Sequence, residues 1–176
     1  MSDTIKILIA EDDPQIAEIQ RRFVERIDGF EVIGISHSTR DAQDMLDVFN
    51  PDLVLLDIHF PDGSGLDLLK ALRSGDSQTD VIMITAAKEV ESLSESLRLG
   101  VFDYVLKPLV FDRLSSALNQ YRSHKASLSN QASELSQQDV DQLLSRHREN
   151  RNSTLKLEAL PKGIDQITLD KIIAAF

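Results

Sequence analysis

Four places along the chain carry side chains that could hold a dication and accept an electrophile: Glu11-Asp12-Asp13, Asp57, Thr85 and Lys107-Pro108. Carboxylates crowded on one rim repel, and at an effective dielectric of about 20 a pair about 4 Å apart costs roughly 4 kcal/mol. A hard dication relieves that repulsion, and magnesium is satisfied by one or two carboxylates with waters and phosphate oxygens. Asp57 could then act as a nucleophile toward a phosphoryl group, forming an acyl phosphate. Lys107 and Mg2+ would neutralise the charge that spreads over the equatorial oxygens during transfer. The Thr85 hydroxyl could hydrogen-bond one of those oxygens. Taken singly, each residue has a plainer reading: an acid after a strand is ordinarily a cap or turn residue, a threonine a capping hydroxyl, a lysine a surface charge. Their joint placement carries the chemical reading.

That placement depends on elements that end at these residues. Ile5–Ala10, Glu31–Ile35, Leu53–Leu56, Val81–Ile84 and Phe102–Leu106 are short apolar segments rich in Val, Ile and Leu. Most are apolar on consecutive residues, the pattern of parallel strands covered on both faces. Helical spacing lies between them. Pro14 follows Asp13 as a first-turn proline follows an N-cap, with Ile16, Ile19, Phe23 and Ile27 on one face. Ala42, Met45, Leu46 and Phe49 mark a second helix, Leu66, Leu69 and Leu72 a third, Val90, Leu93 and Leu97 a fourth, and Phe111, Leu114 and Leu118 a fifth. Five alternations predict an α/β domain, a doubly wound five-stranded parallel sheet over residues 1–125. Ligands of such sheets bind beyond the carboxyl ends of the strands, near the switch in strand order. The four chemical positions all stand at strand ends.

Composition narrows the function classes. The formal charge of −10 is uneven, with 22 acids against 13 bases in residues 1–125 and 7 against 6 in residues 126–176. Phosphate backbones are bound by clustered Lys and Arg, so the chain as it stands is a poor nucleic-acid binder. No apolar run reaches the roughly 18 residues needed to span a bilayer, and the N-terminus lacks the basic leader of a signal peptide. There is no cysteine, which fits a cytoplasmic protein without disulfides.

Residues 126–152 read as a helical linker, rich in Ser, Gln and Asn. An apolar spacing of three and four continues through Tyr121, Lys125, Leu128, Ala132 and Leu135, either a coiled-coil seam of about two heptads or a solvated helix. Pro161-Lys162-Gly163 marks a turn, and Ile167, Leu169, Ile172 and Ile173 give residues 164–176 one apolar face. Residues 153–176 are expected to open a further domain.

The motifs EDD at 11–13, LLDIHFPDGSGLDLL at 55–69, MITA at 83–86 and DYVLKP at 103–108 resemble those of the receiver domains of two-component response regulators, over residues 5–122. The resemblance implies a flavodoxin-like fold, Asp57 as phosphoacceptor, and Asp12 and Asp13 as the acidic pair that binds Mg2+ with Asp57. It implies that His59 lends its backbone carbonyl to the metal, that Thr85 and Tyr104 form the switch, that Lys107 binds the phosphoryl group and that Lys107-Pro108 is cis. A sensor histidine kinase is the implied donor and a homodimer the implied response. FDRLSSALNQYRSH, LSQQDVDQLL and LPKGIDQITLDKI are similar to regulators that respond to citrate and four-carbon dicarboxylates (CitB-type). Those continue into a helix-turn-helix domain whose second helix reads the major groove. The chain would hold only the beginning of that domain, so DNA contact would come through the missing part.

Two other functions use the same residues. An aspartate-nucleophile phosphatase would act on a separate substrate, but typically carries a second Asp where this chain has His59. A stand-alone interaction module would lack any DNA output. The leading expectation is a switch that catalyses only its own phosphoryl transfer and dephosphorylation, with no separate substrate and no membrane attachment.

Overall fold

The computed structural model describes residues 3–86, 90–131 and seven positions between 137 and 145. In chain order the elements are β1 (Ile5–Ala10), α1 (Pro14–Glu25), β2 (Phe30–Ser36), α2 (Thr39–Phe49) and β3 (Leu53–Leu56). There follow β4 (His59–Phe60), β5 (Gly63–Ser64), α3 (Gly65–Ser74), β6 (Asp80–Thr85), α4 (Val90–Arg98), β7 (Asp103–Leu106) and α5 (Phe111–Gln131). Five strands form one parallel sheet in the order β2-β1-β3-β6-β7, the doubly wound arrangement expected, with the switch in order between β1 and β3.

The consecutive apolar residues are explained by two cores. Successive strand side chains point to opposite faces. Ile7 and Ile9 join Leu53, Leu55, Ile82, Ile84 and Val105 on one face, under α1 and α5. Leu8 and Ala10 join Val54, Leu56, Val81 and Met83 on the other, under α2, α3 and α4.

Two local features differ from the sequence expectation. The stripe that α1 buries is Ala17, Gln20 and Val24, continued by Ile27 past the helix end, while Ile19 is 44% exposed. Of the expected face, Ile27 is buried and Phe23 packs against the core, and Ile19 alone points outward. The pair β4 and β5 forms a two-residue antiparallel hairpin that periodicity has no length to reveal. Helix α5 runs unbroken past residue 125, as the continued spacing into a helical linker predicts.

Lys125, placed by the spacing at the core of a seam, instead pairs with Asp52 on the body of the domain, and Leu128 beyond it is exposed. Next to this pair the buried Tyr121 hydroxyl donates to Asp80 Oδ2 (2.8 Å) and to the Asp52 carbonyl (3.1 Å). Ala132, Leu135 and the expected domain opening at 153–176 lie outside the described residues, as do Ala87, Lys88 and Glu89.

Candidate functional site

Register brings the acidic residues together. Ala10 pairs with Leu56 across β1 and β3, so the next residue of each strand, Glu11 and Asp57, emerges side by side at the carboxyl rim. The backbone holds both in place: Glu11 N–H donates to the Ser36 carbonyl and Asp57 N–H to the Ala10 carbonyl, each at 3.0 Å. Asp57 closes its own turn, with Oδ1 accepting the Ile58 N–H at 2.7 Å. Glu11, Asp12 and Asp57 each offer a carboxylate oxygen within 4.8 Å of the others.

The structure therefore groups Glu11 and Asp12 with Asp57, rather than the expected Asp12 and Asp13. Asp13 stands outside the three-carboxylate group, and its carboxylate caps α1 by accepting the N–H groups of Gln15 (2.8 Å) and Ile16 (3.2 Å). The chain leaves β1 and enters a helix within three residues, and the acid immediately before Pro14 has the Ncap position. Glu11, at the strand end itself, turns inward and is 1% exposed. The Asp-Pro signal for a cap was present in the sequence; that Glu11, buried, stands on the rim in place of Asp13 was not.

Lys107 enters from β7. Its backbone N–H donates to the Thr85 carbonyl at 2.8 Å, and the Lys107–Pro108 peptide is cis. Nζ bridges two carboxylates, 2.8 Å from Asp57 Oδ2 and 2.8 Å from Glu11 Oε2. Burial works against the ammonium, yet bonds from Asp57 and Glu11 outweigh it and raise its pKa above the ordinary value. Burial, reinforced by the Asp57 charge, pushes the Glu11 carboxyl up to about 7 even though Lys107 and the Asp13 N–H pull the other way. Three carboxylates facing one ammonium leave the rim short of positive charge.

Thr85 ends β6, fully buried, and its hydroxyl oxygen has no hydrogen-bond partner among the described residues. A buried hydroxyl without a partner costs about 1–3 kcal/mol, a defect that an arriving acceptor would repair. Tyr104 is buried on the neighbouring strand β7, opposite Met83 and two residues before the partner of Thr85. His59 lies in β4, two residues after Asp57, with its side chain exposed. Gly65 packs its Cα against the Asp57–Ile58 backbone and donates its N–H to the Ile58 carbonyl at 2.7 Å. Gly65 lies in the motif at 55–69, but no periodicity signals this contact.

A family model described as the response regulator receiver domain matches residues 7–119. The chain belongs to the response regulator receiver family. Two relatives show how far the likeness extends along this receiver and its continuation. The transcriptional regulatory protein MalR of Bacillus subtilis is 39% identical over 168 residues, covering 96% of the chain and 69% of MalR. The transcriptional regulatory protein CitB of Klebsiella pneumoniae is 38% identical over 176 residues, covering 99% of the chain and 73% of CitB. Among solved structures, the receiver domain of the response regulator AraT from Geobacillus stearothermophilus superposes with a TM-score of 0.65 at 28% identity. That match covers 72% of the chain and 98% of the AraT domain. Among the described residues no helix is long and apolar enough to cross a membrane.

Proposed function

We propose that this receiver accepts a phosphoryl group on Asp57 from a sensor histidine kinase and, in the protein that carries it, controls transcription of carboxylate-metabolism genes. The observation that carries the reading is the Lys107 ammonium held 2.8 Å from both Asp57 and Glu11, with the Asp12 carboxylate beside them. The donor set fits Mg2+: every side-chain ligand atom is a carboxylate oxygen, the hard donor that this ion takes. Three carboxylates and one ammonium also leave two negative charges when all are ionised, the charge a dication balances. Glu11, Asp12 and Asp57 would hold it together with the His59 carbonyl. When bound, Mg2+ supplies positive charge to the phosphoryl oxygens and keeps the carboxylates ionised.

The remaining work belongs to the chain. An Asp57 carboxylate oxygen forms the new bond to phosphorus as the bond to the donor's nitrogen breaks and the imidazole leaves. Lys107 transfers its bond from Asp57 to a phosphoryl oxygen, and the Thr85 hydroxyl, without a partner among the described residues, finds an acceptor there. Tyr104, buried on the adjacent strand, repacks as Thr85 moves. The surface formed by α4, β7 and α5 changes with them and favours a homodimer, and DNA is reached through sequence that follows the receiver. The chain turns over no separate substrate, since its chemistry is its own phosphorylation and hydrolysis. The absence of cysteine suits action in the cytoplasm.

Native mass spectrometry tests the reading on the full chain with a small acyl-phosphate donor, with and without Mg2+. One phosphoryl adduct that requires Mg2+ is expected. Absence of an adduct at saturating donor would contradict the proposal.

A further inference from the structure

Helix α1 buries an amide in the middle of an apolar stripe. Gln20 is 1% exposed, between Ala17 and Val24, on the face that packs against Ile7, Ile9 and their neighbours. Its Nε2 donates to Glu11 Oε2 at 3.3 Å, and its Oε1 has no hydrogen-bond partner among the described residues. A buried acceptor left unpaired is destabilising, whereas an apolar residue of similar shape removes that penalty. As a packing residue, then, a glutamine here is inferior to a methionine or leucine. Among the described residues its side chain bonds a carboxylate of the acidic rim.

We infer that Gln20 is a positioning residue for the metal site, holding the Glu11 carboxylate in its ligating orientation; this rests on the Mg2+ reading of the rim given above. Glu11 is fixed at three points. Oε1 accepts the Asp13 N–H at 3.2 Å, while Oε2 accepts Lys107 Nζ at 2.8 Å and Gln20 Nε2 at 3.3 Å. Lys107 is shared with Asp57. When a phosphoryl group on Asp57 draws the ammonium away, Gln20 is the side chain that still holds Oε2. The Asp13 N–H steadies the other oxygen from the helix entrance, so the carboxylate keeps its orientation between two fixed donors. Groups that orient metal-binding carboxylates commonly contribute 10- to 100-fold to metal affinity. Such a role also accounts for the Oε1 left unpaired among the described residues: the amide is kept for its donor.

The test separates this role from a structural one because the two predict opposite effects on stability. Gln20→Met keeps the length of the side chain and removes the donor, and Gln20→Leu is a second apolar replacement. Mg2+ titration of the full chain by calorimetry should give a Kd about tenfold weaker for both variants. Urea unfolding in EDTA should show metal-free midpoints equal to or above that of the wild type. A Kd within twofold of wild type would overturn the inference, and so would a fall in the metal-free midpoint, or failure to fold, in both variants. If the wild-type chain itself takes up no Mg2+, the reading of the rim fails and this inference with it. Wild-type binding that the variants retain removes only the role of Gln20.

Discussion

Gly65→Ala would drive a methyl group into the backbone that carries Asp57. A Cβ built at position 65 lies 1.9 Å from the Asp57 carbonyl oxygen, 2.9 Å from its carbonyl carbon and 3.1 Å from Ile58 Cα. A carbon meets a carbonyl oxygen comfortably at about 3.3 Å, so the start of α3 and the end of β3 must separate by about 1.4 Å. Neither side yields easily, because the two are joined by the 2.7 Å bond from Gly65 N–H to the Ile58 carbonyl. Overpacking costs about 1–3 kcal/mol and a lost backbone bond about 1 more, so a loss of about 2–4 kcal/mol is expected. Displacing a reacting group by about 1 Å can slow its chemistry about 100-fold. Urea unfolding would read the first effect, and the rate of adduct formation from an acyl phosphate the second. Gly75→Ala is the control. It closes the same helix at φ −95°, where a Cβ meets only the Ala71 carbonyl, at 3.5 Å. That variant should match the wild type or gain up to about 1 kcal/mol from the stiffer unfolded chain. Wild-type stability and labelling in Gly65→Ala would refute the reasoning.

The metal-free protein should lose stability as pH rises from about 4.5 to 7. The Glu11 pKa is raised to about 7 in the fold, so its contribution is complete below the unfolded value and disappears through the folded one, by up to about 3 kcal/mol. Urea midpoints in EDTA at pH 5 and pH 8 check the sign, and a higher midpoint at pH 8 would contradict it; Asp52 and Asp62, whose pKa values are lowered, act below this window. Lys107→Ala should still be labelled at Asp57 but should lose the accompanying change in self-association, read by size exclusion; a normal shift would remove Lys107 from the response. Tyr121→Phe should cost about 1–2 kcal/mol by unpairing the Asp80 carboxylate, and an unchanged urea midpoint would show that this bond contributes nothing.

How much of this was legible in the sequence depended on the physical signal each feature left. The strands were clear because a sheet covered on both faces demands consecutive apolar residues, as in Leu53–Leu56, where all four are buried. The rim followed, since Asp57, Thr85 and Lys107 each close or follow a strand. The face of α1 was only partly legible: Phe23 and Ile27 do meet the core, but the buried stripe also takes a small residue, Ala17, and a polar one, Gln20, while the bulkier Ile19 lies outward. The acidic run at 11–13 offered three carboxylates, of which the resemblance implied Asp12 and Asp13. Only the backbone direction at the start of α1 separates the cap, Asp13, from the rim residues Glu11 and Asp12. The contact at Gly65 joins a helix start to a strand end, and no periodicity reports such an approach.

The central claim is that Asp57 is the phosphoacceptor, and site mapping tests it most directly. The full chain would be treated with a small acyl-phosphate donor and Mg2+, then reduced with borohydride, which converts an aspartyl phosphate to homoserine. Peptide mass spectrometry would then read the modified position. The account predicts reduction at residue 57 alone, absent in Asp57→Asn and absent in EDTA. Reduction at Asp12, Asp13 or another residue of the wild-type chain, or undiminished labelling of Asp57→Asn, would contradict it.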